Sequence, residues 1–191
     1  LNALLDVSEL EVGAIKPRHE IFSVNNILIS IFQSFLPLAK DKELDFRIVP
    51  SSLYVESDPA LLERILGNFM SNAIRYTDKG SVLIGCRRKG SEVSIEVWDT
   101  GCGISDDQMS LIYEDFYQVE NKERDRGKGL GLGLALAKRL SDSLDHKIDS
   151  KSSLGRGSCF SVTVDLAENK ADTSQDEIFM NIMNLSGINI L

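Results

Sequence analysis

Three cysteines, four prolines, two histidines and one tryptophan among 191 residues are what this chain has little of. Cys86, Cys102 and Cys159 are too few and too scattered for a disulfide framework or for metal-ligand spacing, so reduced thiols in a cytoplasmic setting are expected. Basic residues are outnumbered as well: 21 Lys and Arg stand against 29 Asp and Glu, a formal net charge of −8. That balance argues against a nucleic-acid binder working through bulk charge, but not against a phosphate site, which needs only local donors. No apolar run is long enough to span a bilayer and no signal peptide opens the chain, so direct membrane contact is not expected. The chain opens on Leu1 rather than Met, which reads as a segment of a longer protein whose own anchoring is left open. What is present is ordinary for a globular domain: 42% hydrophobic and 26% charged residues, at a length that allows a sizeable core.

Hydrophobic spacing divides the chain. Residues 1–16 carry a helical pattern (Leu1, Leu4, Leu5, Leu10) that stops near Gly13 and Pro17. Residues 17–167 hold the main domain: a short strand at Glu20 to Phe22, then a helix capped by Ser23 and running to about Lys40, with Pro37 expected to bend or end it. Strands follow at Leu44 to Val49 and Leu53 to Val55, then a helix begun by Asp58 and Pro59. Ser81 to Arg88 and Glu92 to Asp99 form a hairpin. A short helix is expected at Gln108 to Tyr113, a longer one at Leu130 to Leu144, and a closing hairpin at Lys147 to Ser150 and Ser158 to Val164. Residues 168–191 change composition and read as a tail or linker. The pattern predicts an α+β two-layer sandwich, a mostly antiparallel mixed sheet packed on about three helices.

Three segments carry chemistry. On the helix after Pro59, Asn68, Asn72, Arg75 and Tyr76 fall three or four residues apart and form one polar row beside an apolar face. Paired amide oxygens suit hydrated Mg²⁺, and an Arg one turn on suits a phosphate. Asp99 ends a strand and is followed by Gly101 and Gly103, which let backbone approach a ligand, while the carboxylate can accept from an exocyclic amine. Gly127, Gly129, Gly131 and Gly133 alternate into a helix, an arrangement that presents backbone N–H groups to an anion. Neither a Walker loop nor a dinucleotide fingerprint fits this last run. Between the glycine segments, Glu114 to Val119 and the charged stretch Glu120 to Arg126 read as a lid, with Arg124, Arg126 and Lys128 as candidate phosphate contacts.

The order Asn68-x-x-x-Asn72-Ala-x-Arg75-Tyr76-Thr77, Asp99-Thr-Gly101-x-Gly103-Ile104, Asp115-Phe116-Tyr-Gln and Gly129-Leu130-Gly131-Leu132-Gly133-Leu-Ala resembles the catalytic, ATP-binding domain of sensor histidine kinases. The resemblance covers roughly Glu20 to Leu166, and Leu4 to Gly13 is similar to the last turns of the dimerisation domain that precedes it in that family. It implies a Bergerat-type fold that binds ATP and Mg²⁺. Asn68 and Asn72 are expected at the metal, Arg75 and Tyr76 beside the phosphates, and Asp99 on the adenine amine. Gly101, Gly103, Ile104, Phe116, Arg126, Lys128, Gly129, Leu130, Gly131, Leu132 and Gly133 are expected around the nucleotide and its lid, and Asn68 and Arg75 in phosphoryl transfer. The implied partners are a His-bearing dimerisation domain and a response-regulator receiver domain, with a monomeric segment inside a homodimeric parent.

The family's acceptor histidine lies upstream of this chain, and His19, off any helix and after Pro17, is not expected to replace it; His146 reads as a surface residue. Lys128 and Leu130 depart from the Gly and Thr that many members carry. Two other classes compete with a kinase: a hydrolysing ATPase of the same fold and a non-catalytic nucleotide-sensing module. The hydrolases carry a Glu general base four residues before the Mg²⁺ asparagine, where this chain has Asn68, which cannot take a proton from water.

Overall fold

Alternation along the strands decides which side faces the core. In β5 (Glu92–Asp99), Val93, Ile95 and Val97 are fully buried on one face, while Glu96 and Trp98 turn to the other. The computed structural model describes residues 16–118 and 131–168. Within them β5 pairs antiparallel with β4 (Ser81–Lys89) and with β7 (Gly157–Ala167). β6 (Lys147–Ser153) lies along the first part of β7, and β3 (Tyr54–Ser57) meets its end. β1 (Glu20–Ser23) extends β3 antiparallel, and β2 (Asp45–Ile48) runs parallel to β4. The resulting order is β1-β3-β7-β5-β4-β2 with β6 beside β7, a mixed and mostly antiparallel sheet of seven strands.

Helices α1 (Val24–Asp41), α2 (Pro59–Tyr76), the single turn α3 (Asp106–Met109) and α4 (Gly133–Ser143) pack on the sheet. The expected two-layer α+β sandwich is what forms, with four described helices rather than about three. Helix α2 is its centre. Leu62, Ile65, Leu66, Phe69 and Met70 are fully buried, and the Phe69 ring stacks on Phe160 of β7 at a centroid distance of 5.7 Å. Each such side chain contributes roughly 1.5–3 kcal/mol by leaving water, so the apolar face of α2 holds its polar row in place. Asp58 caps the helix as expected, its Oδ1 accepting the Leu61 N–H at 3.1 Å, with Pro59 at the first helical position.

Local expectations differ from the structure at five places. Ser23 has the extended backbone of a cap but makes no side-chain capping bond. Pro37 does not end α1, which continues to Asp41. Pro37 and Gln33 are both exposed, so the missing N–H falls on the wet side, while Ala39 beyond it is fully buried. The helix expected at Gln108 to Tyr113 is shorter and earlier, because the Ser105 carbonyl accepts from both Gln108 and Met109 and starts the turn there. Helix α4 begins at Gly133, since Gly131 at φ +73° cannot be helical. His146 is buried rather than on the surface, its Nε2 2.7 Å from Ser57 Oγ where the α4–β6 turn meets the end of β3. The patterns assigned to residues 1–15 and 169–191 lie outside the described residues. Among the described residues no helix is long and apolar enough to cross a membrane, and none of the three cysteines forms a disulfide.

Candidate functional site

The polar row of α2, the end of β5 and the start of α4 meet at one cleft of about 350 Å³. That is within the range of about 300–1,000 Å³ usual for small-molecule sites. From α2 come Asn68, Ser71, Asn72, Arg75 and Tyr76. The Asn68 amide nitrogen donates to the Arg64 carbonyl at 2.9 Å, one turn back, which turns the amide's oxygen away from the helix. A Cβ at Gly133 would sit 3.0 Å from that oxygen, a tight contact, so α4 starts directly against the row. Leu132, Gly133 and Leu134 line the cleft at the N-terminus of α4, where the first backbone N–H groups have no partner within the helix.

Asp99 forms the other end. It is buried, and its Oδ1 accepts two backbone N–H groups, from Gly101 at 2.8 Å and Ser158 at 3.2 Å. Among the described residues no donor reaches Oδ2, which is the oxygen left for a ligand. Burial raises the Asp99 pKa above the ordinary carboxylate value, and the two N–H groups pull it partly back. The chain around it is tight: Gly157 has φ +103°, and a Cβ there would lie 2.0 Å from the Asp99 carbonyl oxygen. Cys102 donates its N–H to the Tyr76 carbonyl at 3.2 Å and accepts from the Gly155 N–H at 2.7 Å, tying α2, the loop after β5 and the β6–β7 turn together.

Ten of the residues singled out in the sequence line this cleft: Asn68, Asn72, Arg75, Tyr76, Asp99, Gly103, Ile104, Gly131, Leu132 and Gly133. Gly101 stands behind Asp99 as a hydrogen-bond donor instead. Phe116 is 65% exposed with φ +60° and does not line the cleft, whereas its neighbours Tyr117 and Gln118 do. Arg124, Arg126, Lys128, Gly129 and Leu130 lie outside the described residues. Sequence reasoning missed Ser71, Cys102, Ile112, Leu134, Ser158 and Phe160, all of which line the cleft. Ser71 was within reach, being one turn from Asn68 on the same helix. Ser158 shows only through its strand register opposite Asp99.

An acceptor carboxylate at one end, apolar walls, a row of amides and an Arg, and a helix N-terminus define a nucleotide-binding domain of α+β type. Residues 57–168 match the family model described as histidine kinase-, DNA gyrase B-, and HSP90-like ATPase, and the chain belongs to that family. The sensor histidine kinase RcsC of Escherichia coli (strain K12) is 33% identical over 171 residues, which are 87% of this chain and 18% of that kinase. The crystal structure of full-length ShkA in complex with AMPPNP superposes with a TM-score of 0.77 at 28% identity, over 89% of this chain and 36% of that one. The catalytic domain of the histidine kinase ThkA, in a nucleotide-free form, gives a TM-score of 0.67 at 22% identity over 78% of this chain and 95% of that one, a likeness of fold. The chain is therefore an ATP-binding catalytic domain of the histidine-kinase kind, and it spans less than a quarter of the length of the curated relatives it matches.

Proposed function

We propose that the cleft binds Mg²⁺-ATP, and that this domain, residues 17–167, hands the γ-phosphoryl to a histidine on the dimerisation domain of its parent kinase. A response-regulator receiver domain would then accept it on Asp, in the cytoplasm, with the segment itself monomeric and the parent homodimeric. The observation that carries the reading is the composition of the cleft, in which a buried carboxylate with one unfilled oxygen faces the same space as the amide row and the α4 N-terminus. Asp99 Oδ2 would accept from the adenine amine. Ile104, Ile112 and Phe160 supply apolar wall for the base. Arg75, Tyr76 and the first N–H groups of α4 would bind the phosphates, joined by Arg126 and Lys128 from the lid segment.

The donor set fits Mg²⁺, which favours oxygen ligands: the Asn68 amide oxygen is turned off its helix toward Gly133, and Asn72 follows one turn on. Asn68 and Asn72 would hold it, and the ion would supply positive charge to offset the negative charge of the phosphates. The residues themselves orient the nucleotide and exclude water. Asp99 is the one carboxylate among the described residues of the lining, and its unfilled Oδ2 is assigned to the adenine amine rather than to the phosphate end, so the described lining offers no base poised to activate water there. That favours transfer to an external acceptor over hydrolysis. Calorimetric titration with AMPPNP, with and without Mg²⁺, tests the site: Asn72→Ala should lose the metal-dependent part of the affinity. Equal Mg²⁺ dependence in both chains would contradict the assignment.

A further inference from the structure

The last turn of α2, which carries Arg75 and Tyr76, is not capped by the residues that follow it. Thr77 follows in extended conformation, with φ −105° and ψ 111°, so no residue turns back to donate to the final carbonyls. A lysine from elsewhere does this. Lys42, in the turn that ends α1, places its Nζ 2.9 Å from the Ile74 carbonyl, 3.0 Å from that of Arg75 and 3.1 Å from that of Thr77. An ammonium has three donors, and these three carbonyls match that number. The remaining carbonyl of the turn, Tyr76, accepts the Cys102 N–H from the loop after β5. Lys42 also lies 3.8 Å from Asp78, but that carboxylate is 99% exposed and adds little.

We infer that Lys42 is a positioning residue for nucleotide binding: its ammonium fixes the turn that presents Arg75 and Tyr76 to the cleft, and so sets affinity for the phosphate end of the ligand. The inference rests on the nucleotide reading above. Its cause is local. A cation at a helix C-terminus is favoured by the dipole, and without it three carbonyls fall back on water and the last turn frays. Asp99 is held on β5 by the Gly101 and Ser158 N–H groups and the apolar walls stand on other elements, so recognition of the base changes less than recognition of the phosphates.

The test compares Mg²⁺-AMPPNP with adenosine, which has no phosphates, on the unsubstituted chain and on Lys42→Met, Lys42→Gln and Lys42→Arg. Lys42→Met should bind Mg²⁺-AMPPNP about tenfold more weakly while adenosine affinity stays within about twofold. Lys42→Arg, whose guanidinium keeps both charge and donors, should restore most of the loss. If Lys42→Met folds poorly, Lys42→Gln, which keeps two donors without charge, should show a smaller loss with the same ligand selectivity. A lower melting temperature with an unchanged AMPPNP-to-adenosine ratio would reduce Lys42 to a structural cap and overturn the inference. Failure of the unsubstituted chain to bind Mg²⁺-AMPPNP would instead overturn the nucleotide reading, and the positioning role with it.

Discussion

Replacing Asp99 by Asn separates binding from stability. Asn keeps an oxygen where Oδ1 stands, so the Gly101 and Ser158 N–H groups, at 2.8 and 3.2 Å, retain their acceptor. The group turned to the cleft becomes an NH₂, which cannot accept from an adenine amine. A hydrogen bond to a charged acceptor is worth roughly 1.5–3 kcal/mol. At about 1.4 kcal/mol per factor of ten, Asp99→Asn should weaken Mg²⁺-AMPPNP binding about ten- to a hundredfold in calorimetry. Stability should move the other way. Burial raises the Asp99 pKa in the folded chain, so its contribution to stability is full below the unfolded pKa and is lost as pH rises through the folded one. At neutral pH the buried charge is a cost that Asn does not carry. The melting temperature of the nucleotide-free variant should therefore equal or exceed that of the unsubstituted chain. Unchanged affinity would refute the assignment of Oδ2 as the ligand's acceptor, and a variant that unfolds would refute the account of the buried charge.

Glycine positions give a matched pair. Gly157→Ala must open a φ of +103° and a 2.0 Å approach to the Asp99 carbonyl, so thermal unfolding should show a loss of at least about 1–3 kcal/mol, and nucleotide affinity should fall as Asp99 shifts. Gly67→Ala, inside α2 with nothing within 4 Å of the added Cβ, should instead stabilise by about 0.5–1 kcal/mol. His146 is held neutral by burial, with the charge of His19 acting in the same direction, so its folded pKa lies below the ordinary imidazole value. Its contribution is present above the unfolded pKa and is lost as pH falls below about 6.5. Urea unfolding from pH 7.5 to 5 should show this loss, and His146→Gln should flatten it; identical slopes would count against the buried contact with Ser57. Cys159, its thiol pushed up to about 12 by burial and then by Glu96, should resist alkylation in the folded chain, while exposed Cys102 reacts.

What could be read from the sequence was what local physics decides. Helix α2 declares itself through Asp58-Pro59 and the spacing of Leu62, Ile65, Leu66 and Phe69, and that same spacing places Asn68, Asn72, Arg75 and Tyr76 on one side. Asp99 was legible because two glycines follow the strand it ends. Features that depend on two distant segments meeting were not legible. Ser158 reaches Asp99 through strand register, His146 is buried because the α4–β6 turn closes on Ser57, and Lys42 finds the end of α2 from a turn of no evident pattern. Pro37 misled because its cost depends on which side of α1 meets water. Phe116 was read as a ligand contact from its motif, yet its positive φ turns it outward and leaves Tyr117 in the lining.

Transfer of labelled phosphate from ATP to a separately supplied, histidine-bearing dimerisation domain addresses the kinase reading most directly, with release of inorganic phosphate followed in the same reaction. The cleft predicts label on the supplied histidine, little label on the chain itself including His19, slow phosphate release, and loss of transfer in Asn72→Ala. Steady phosphate release without labelled histidine, or equal transfer by Asn72→Ala, would contradict it.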